Sequence, residues 1–322
     1  FRQEVLRRAG ESRVRASLLQ WALGRGRRQH EALLGGHTPD STAWKLADRL
    51  VLRKIQQGFG GRVDTFISGG APLGLDTATW FLDAGVVIQE GYGLTETSPV
   101  IALNSTLPVR LGSVGKVLPN VEVRIEPDGE LLVRGPSIFK GYWNKPQETA
   151  DSFQADDWFA TGDIGRIDDD GFLFITDRKK DLLKTSGGKL IAPQPIENQL
   201  KADPLVGTAA VVGDRHKFAA VLISPNFAAL EAWAKDNGIA VEDRARLIAD
   251  SAVEAAYAQI VAGVNARLAN FETLKRFRLV AEEWTLDTGE LTPSMKLKRR
   301  VVEQKYAAEI ANFYEDEATS HR

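Results

Sequence analysis

The stretch from Val63 to Gly93 constrains the fold of this chain more than any other. Val63 to Ser68 is a short apolar run fit for a buried strand, and Gly69-Gly70-Ala71-Pro72 is a turn. Asp76 to Ala84 reads as a helix stopped by Gly85, and Val86-Val87-Ile88 is a second strand that runs straight into Glu90-Gly91-Tyr92-Gly93. Strand, helix and strand in that order are the alternation of parallel α/β structure. Open α/β sheets bind ligands in loops at the carboxyl ends of their strands. The glycine-bearing segments after the two strands are therefore the first places to look for a site.

The pattern changes on either side. From about Gly112 to Thr176 short strands alternate with tight turns. Val121 to Ile125, Pro127-Asp128-Gly129 and Glu130 to Val133 form a hairpin signal. This portion is expected to be a small barrel or sheet packed on the α/β part. Asp177-Arg178-Lys179-Lys180-Asp181 is a charged break, and a smaller α+β unit follows. Its expected strands are Ala209–Val212, Ala219–Ile223 and Phe277–Val280, and its helices 194–201, 226–236, 243–269 and 299–314. In the last helix Val302, Tyr306, Ile310 and Phe313 recur at helical spacing, which marks core. Upstream, residues 1–36 are arginine-rich and helix-like. Ser41 or Thr42 can cap a further helix through Ile55, with Leu46, Leu50 and Ile55 on one side. The expected fold class is an α/β large-domain remnant, a parallel α/β sheet plus a small β-rich subdomain, followed by a small α+β C-terminal domain. The expected division is 1–177 and 178–322, with a hinge near 177–181.

Composition narrows the function. The 322 residues suffice for two domains, and the 43% apolar and 26% charged fractions are those of an ordinary globular chain. A formal net charge of −2 gives no global attraction to nucleic acid or membrane. With no cysteine there is no disulfide framework and no thiolate nucleophile, which suits a cytoplasmic location. No apolar run approaches the ~20 residues of a membrane helix, and no signal peptide is visible. The arginine-rich residues 1–30 read as a solvated amphipathic helix or two, with peripheral membrane contact as the sharper reading. The sole methionine is Met295 and the chain opens at Phe1, so it reads as a piece of a longer polypeptide.

Four segments carry chemistry. In Gly91-Tyr92-Gly93-Leu94-Thr95-Glu96-Thr97 the glycines let backbone approach a ligand and the tyrosine offers a flat face for a base. Its hydroxyl and carboxylate suit a phosphate oxygen and a hard cation. The plainer reading is a turn with a capping threonine. In Trp158 to Asp163, Asp163 after a glycine turn can accept two hydrogen bonds from a ribose diol, or can bond its own backbone. In Asp177 to Pro193, Arg178 could donate to ribose oxygens, while Lys184 and Gly187-Gly188 could line a path for an anionic, extended thiol. An exposed basic linker is the alternative. In Gly289 to Arg300, Lys296 stands on a loop before a helix and can swing into a site, or simply start a basic helix.

Together and in this order, the four resemble the adenylate-forming superfamily of acyl-CoA synthetases, luciferases and peptide-synthetase adenylation domains. GYGLTET, WFATGDIGRIDDDGFLFITDRKK, LLKTSGGKLIAP and TGELTPSMKLKRR look most like bacterial long-chain fatty acyl-CoA synthetases. The resemblance covers nearly the whole chain from Gly61 onward. It implies ATP-dependent activation of a fatty acid to acyl-AMP and transfer to coenzyme A, with Mg²⁺ as cofactor. It implies that Tyr92 stacks on adenine, that Gly69, Gly70 and Ala71 line the adenine and acyl pocket, and that Gly93 belongs to the nucleotide site. Thr95 would bond the α-phosphate, Glu96 hold Mg²⁺, and Asp163 and Arg178 bind the ribose hydroxyls. Lys180 matches the hinge position. Lys184, Gly187 and Gly188 would sit near the pantetheine tunnel, and Lys296 would be the mobile lysine of the adenylation step.

Two departures stand out. The family's Ser/Thr/Gly-rich loop, which ends in a lysine and holds the β- and γ-phosphates, is absent from this sequence. The glycine usual before the mobile lysine is Met295 here. Two other functions stay open at this point: another acyl- or aryl-acid CoA ligase, and a non-catalytic adenylate-binding module.

Overall fold

The computed structural model describes residues 1–293 and 295–315; Ser294, inside the expected Lys296 loop, and the last seven positions lie outside the described residues. The chain forms two compact units, Phe1–Thr176 and Asp177–Arg322.

The first unit begins with helices α1 (Arg2–Gly10), α2 (Arg13–Arg27) and α3 (His30–Leu34). Helix α4 (Thr42–Ala47) is capped by Ser41, whose hydroxyl accepts the Trp44 N–H at 3.2 Å. It continues through a π-helical turn (Asp48–Leu52) into α5 (Arg53–Gln57). That turn corrects the expected inner face. Leu46 and Leu50 are 50% and 42% exposed, while Trp44, Ala47, Leu52 and Ile55 are buried. A π turn inserts extra rotation into the helix, so spacing counted through it at 3.6 residues per turn selects the wrong side. The buried side chains pack with Leu19 and Leu23 of α2 and with Phe81 of α6 (Leu75–Asp83). Asp83 is buried and receives Arg27 Nη2 at 2.8 Å, with His30 Nε2 2.7 Å from its other oxygen.

The sheet of this unit contains β1 (Phe66–Ser68), β2 (Ile88–Gly93), β3 (Val100–Leu103), β4 (Gly115–Val117), β5 (Glu122–Ile125), β6 (Glu130–Arg134), β7 (Phe153–Gln154), β8 (Trp158–Ile167) and β9 (Phe172–Arg178). Strand order is β1-β2-β3-β4-β9-β8-β6-β5, with β7 on β8, and a short α7 (Pro146–Ser152) precedes β7. β1 and β2 are parallel, Phe66 facing Ile88, while β2/β3, β3/β4, β4/β9 and β6/β8 are antiparallel. The expected strand at Val86-Val87-Ile88 starts only at Ile88, and Glu90 to Gly93 lie inside β2 rather than in a loop after it. The cause is the end of α6. Gly85, at φ +80°, lets the Val86 N–H reach back to Phe81 O at 2.8 Å, so Val86 still belongs to the helix cap.

The second unit starts with the ladder β10 (Leu183–Lys184) and β11 (Leu190–Ile191) and helix α8 (Pro193–Leu200). Its main sheet is β12 (Val206–Val212), β13 (Ala219–Pro225) and β14 (Leu274–Leu279), with β12/β13 antiparallel and β13/β14 parallel. Both faces of β12 and β13 are covered, which explains their near-continuous apolar runs. Val211, Val221 and Ile223 meet Ile196 and Leu200 of α8, Phe227 of α9 (Phe227–Asp236) and Tyr257 of α11 (Ser251–Asn265). Val212, Ala220 and Leu222 meet Trp284 and, from the C-terminal region, Val302, Tyr306 and Phe313. The expected helix 243–269 is broken into α10 (Arg244–Ile248) and α11, because the Asp250 carboxylate caps a new start by accepting the Ala252 N–H at 2.8 Å. The expected helix 299–314 is α12 (Arg299–Lys305) and α13 (Ala307–Asn312), interrupted at Tyr306, whose hydroxyl accepts the Trp284 indole N–H at 3.0 Å. Among the described residues no helix is long and apolar enough to cross a membrane.

One buried ion pair ties this unit together. Arg299 donates to Glu197 Oε1 at 2.6 Å and to Val211 O at 2.6 Å, while the Val211 N–H donates to the same Glu197 oxygen at 2.8 Å. Both side chains are nearly buried. Replacing Arg299 by Met leaves Glu197 charged and unpaired, so Arg299→Met should lower the stability of this unit by about 3 kcal/mol. Urea denaturation of the chain and its variant measures it, and a change below about 1 kcal/mol would contradict the pairing.

Candidate active site

In the first unit the expected site residues cluster around the end of β2. Gly93 ends the strand where the chain folds back so tightly that a Cβ there would lie 1.6 Å from Pro99 O. The next residues form a short 3-10 turn, Thr95–Thr97, locked by the buried Thr97. Its hydroxyl accepts the Leu94 N–H at 2.9 Å and donates to Pro99 O at 2.7 Å. This lock leaves Thr95 exposed and Glu96 half-buried at the turn. Gly69 lies against the same strand: a Cβ there would be 3.3 Å from Gly91 O. Gly70, at φ +79°, and Ala71 are exposed beside it.

Tyr92 and Asp163 meet directly, the Tyr92 hydroxyl donating to Asp163 Oδ2 at 2.5 Å. The expected glycine turn before Asp163 is instead a distortion within β8. Gly162, at φ +69°, falls where the β6/β8 register shifts between Glu130 and Leu132. Its N–H donates to the buried Glu130 carboxylate at 3.1 Å, and Thr161 accepts the Asp163 N–H at 3.1 Å while donating to Leu131 O at 2.7 Å. A bulge of this kind re-aims one side chain of an otherwise regular strand.

Two participants escaped the sequence reading. Tyr142 donates its hydroxyl to Glu96 Oε1 at 3.0 Å, and the Phe139 N–H donates to Glu96 O at 2.8 Å, so the 139–142 segment clasps the turn. Burial, and then the Glu96 charge, push the Tyr142 phenol up, which keeps it a neutral donor. Glu90 is buried one residue before Gly91; burial pushes its carboxyl up, against main-chain N–H groups of Leu73 and Gly112 that act in the opposite direction. The only signal for Tyr142 was its place in Gly141-Tyr142-Trp143, a loop tripeptide without chemistry of its own.

Mg²⁺ fits what is here in one way only. Among the described residues no group of three or more His, Cys, Asp and Glu could hold a metal by itself. A single carboxylate at an open turn is the arrangement in which Mg²⁺ keeps most of its ligands as water and substrate phosphate, and Glu96 fits it.

In the second unit Lys184, Gly187 and Gly188 share one hairpin. Lys184 pairs with Leu190 across the β10/β11 ladder, and the tip closes through Gly188 N–H to Thr185 O at 2.8 Å. Gly187 and Gly188 are exposed, and a Cβ on Gly188 would meet nothing within 4 Å. Lys296 stands on a different turn, bounded by the Leu291–Leu297 bridge, with Thr292 N–H donating to Lys296 O at 2.8 Å and Lys296 N–H to Thr292 Oγ1 at 3.0 Å. Lys305 secures the base of that turn by pairing with the buried Glu290 at 2.6 Å. Arg178 is half-buried and Lys180 exposed.

The first unit thus brings a tyrosine and a carboxylate together across its sheet, and the second, a separate α+β unit, carries Lys184 and Lys296 on two different turns. The AMP-binding enzyme family matches residues 28–143, and the AMP-binding enzyme C-terminal domain matches residues 180–318. The chain belongs to this family, on its long-chain acyl-CoA synthetase branch. It is 44% identical over 277 residues to the long-chain-fatty-acid–CoA ligase FadD15 of Mycobacterium tuberculosis, an alignment covering 84% of this chain and 45% of that protein. It is 32% identical over 340 residues to the human long-chain-fatty-acid–CoA ligase ACSBG1, covering 98% of this chain and 46% of that protein. The chain thus spans about half the length of these relatives. Among solved structures, ATP-bound MatB from Rhodopseudomonas palustris aligns with a TM-score of 0.59 at 28% identity, covering 81% of this chain and 49% of that one. The adenylation domain of a carboxylate reductase from Mycobacterium chelonae aligns at 0.66 and 23% identity, over 91% and 45%, a likeness of fold.

The expected charged break at 177–181 is not uniformly exposed, since Asp177 is buried. It accepts the N–H of Gln194 at 3.0 Å, at the start of α8, and that of Arg178 at 2.7 Å. Burial raises its carboxyl to about 6, against the downward effect of those N–H groups and of Arg299. A folded pKa above the unfolded 3.8 means that the folded unit binds the extra proton between those values. The stability contribution of this group is therefore full below about pH 4 and is lost as pH rises through 6, a swing of about 3 kcal/mol. Stability of the second unit, followed by denaturant titration from pH 4 to 7, should show this component, and Asp177→Asn should abolish it. An identical pH slope in the variant would refute the assignment.

Proposed function

We propose that this chain serves an enzyme that activates a long-chain fatty acid with ATP and transfers the acyl group to coenzyme A. The observation that carries the reading is the Tyr92–Asp163 hydrogen bond beside the Glu96 turn, which joins a base-stacking face, a ribose acceptor and a cation ligand in one place. Support also comes from the relatives named as long-chain-fatty-acid–CoA ligases.

In this reading Tyr92 stacks on adenine, with Gly69, Gly70, Ala71 and Gly93 against the base and the acyl chain. Asp163 and Arg178 take the ribose hydroxyls and Thr95 the α-phosphate. Bound Mg²⁺, held by Glu96 and the phosphates, would neutralise charge on ATP. A fatty-acid carboxylate oxygen attacks the α-phosphorus, the bond to the β-phosphate breaks, and pyrophosphate leaves. Two anions meet in this step, and the Lys296 ammonium supplies the opposing charge. The CoA sulfur then attacks the acyl carbonyl, the thiol proton is lost, and AMP leaves. No like charges need be forced together there, so the second step depends less on Lys296 and more on the Lys184 and Gly187-Gly188 hairpin. Residues 177–181 are the proposed hinge between a large domain, 1–177, and a mobile one, 178–322. Contact of residues 1–30 with an anionic membrane belongs to the same proposal and predicts salt-sensitive liposome binding.

Two measurements test the reading. Calorimetric titration of the chain with AMP should show binding, weakened about tenfold or more by Asp163→Ala through loss of charge-assisted ribose bonds. ATP should gain little over AMP, because this sequence holds no loop for the β- and γ-phosphates. Unchanged AMP affinity in the variant would remove Asp163 from the site. In the full-length protein, Lys296→Ala should slow acyl-adenylate formation by a factor on the order of 10² or more. Thioester formation from supplied acyl-adenylate should change little. Equal losses in both half-reactions would sink the assignment of Lys296.

A further inference from the structure

The hairpin that carries Lys184 is too short to fix its own tip. Each of its strands contributes two residues, Leu183 and Lys184 against Ile191 and Leu190, and a ladder that small is not stable alone. Leu183 and Ile191 bury its base in the core, and beyond them its side is held by a second turn, residues 213–217, between β12 and β13. The Lys184 N–H donates to Asp214 Oδ1 at 3.0 Å, the Arg215 N–H donates to Lys184 O at 2.7 Å, and the Ser186 N–H donates to His216 O at 2.9 Å. These three bonds run along the side of the hairpin from Lys184 toward the glycines, so the 213–217 turn acts as its third strand.

That turn is itself unusual. Gly213 has φ +141° and Arg215 φ +65°, and Asp214, Arg215 and Lys217 are exposed. A non-glycine residue in the left-handed region needs its surroundings to hold it. The support comes from close to the end of the described chain. The His216 imidazole lies on the Tyr314 ring with centroids 3.6 Å apart and planes within 8°. Tyr314 is buried among Val212, Ala220 and Leu222, and its hydroxyl contacts Val212 O at 3.3 Å and Phe218 O at 3.4 Å, the strand ends on either side of the turn. It therefore fixes both ends of the turn and the ring in the middle.

We propose that His216, seated on Tyr314, is a positioning residue for the thioester-forming step, holding the Lys184–Gly188 hairpin in the shape that receives CoA. This inference rests on the function proposed above and adds to it two residues outside all four motifs. His216 touches no reacting atom; it acts through the three hydrogen bonds of its turn. An aromatic stack of this kind biases the equilibrium it controls by about two- to tenfold, which sets the size of the effect.

The test uses the full-length protein with His216→Ala and His216→Phe; His216 is only half-buried, so both variants keep the core intact. Amide hydrogen exchange reads the clamp itself. His216→Ala should speed exchange in residues 184–188 and 213–217 by about two- to tenfold, and His216→Phe, which keeps a flat ring, should restore it. Kinetics read the function. His216→Ala should raise the KM for CoA by a similar factor while leaving acyl-adenylate formation within about twofold, and His216→Phe should return the KM toward that of the unmodified protein. Unchanged exchange, an equal loss in both half-reactions, or a phenylalanine variant as impaired as the alanine one would each overturn the proposal. Absence of thioester formation by the unmodified protein would instead fell the functional reading, and exchange would then decide the clamp alone.

Discussion

The hydrogen bond between Tyr92 and Asp163 places a geometric demand on the whole first unit. Tyr92 is on β2 and Asp163 on β8, and three strands, β3, β4 and β9, separate them in the sheet order. Four steps of ~4.8 Å would put them roughly 19 Å apart in a flat sheet. That is more than a tyrosine and an aspartate side chain can span between them. Contact at 2.5 Å therefore requires the sheet to curl, and the curl has visible causes. Gly162 bulges β8 at the residue before Asp163, and Gly115, at φ +90°, lets β4 pass so near β3 that a Cβ would lie 2.1 Å from Leu103 O. Bulges and close glycine approaches are how sheets bend. The two residues meet because the strands between them fold round, while Ile101, Leu131, Val133, Phe159 and Leu173 pack together in the core of this unit.

The second unit solves a different problem, which is how to keep two lysine-bearing turns ordered while leaving their tips open. Its sheet is covered on both faces, so β12 and β13 are rigid rails. Each turn buries apolar residues at its base, Leu183 and Ile191 in one and Leu291 in the other, and polar contacts fasten the rest to the rails. The Lys296 turn is anchored by Lys305 on Glu290 and, just beyond it, by Arg299 on Glu197 and on Val211 O of β12. The Lys184 hairpin is anchored through the 213–217 turn, which leaves the same strand just after Val212. Buried ion pairs contribute little net stability, but losing one partner is costly, so they suit positions where geometry matters more than strength.

How much of this was legible beforehand depends on what kind of signal each feature leaves. The family was readable because its motifs join rare residue types at fixed spacing: Tyr92, Thr95 and Glu96 within five positions, and Lys296 on a polar loop before a helix. The strands of the second unit were readable from continuous apolar runs. What failed was whatever depends on one local backbone choice. The π turn at Asp48–Leu52 rotated the buried face away from Leu46 and Leu50, and the glycine cap at Gly85 delayed β2 to Ile88. Asp250 and Tyr306 each interrupted a helix that periodicity ran through. The partners of the site, Tyr142 on Glu96 and Tyr314 on His216, were invisible because 46 and 98 positions separate them in the chain.

Met295 shows how a departure from the family pattern reads once the backbone is known. The residue sits at φ +59°, the left-handed conformation that glycine adopts freely. A glycine at this position thus has a backbone reason, and methionine in its place costs about 1–2 kcal/mol of local strain. The surrounding bonds meet that cost: Met295 N–H donates to Thr292 O at 2.8 Å, and the Lys296 N–H and O both bond Thr292. The consequence is for freedom rather than for contact. Glycine would let the turn visit many shapes, while a side chain at this position removes most of them from the unfolded and partly open states. Methionine at this position does not favour the observed turn by its own preference, so the left-handed backbone before Lys296 is held by its bonds to Thr292 and by the Leu291–Leu297 bridge beneath it.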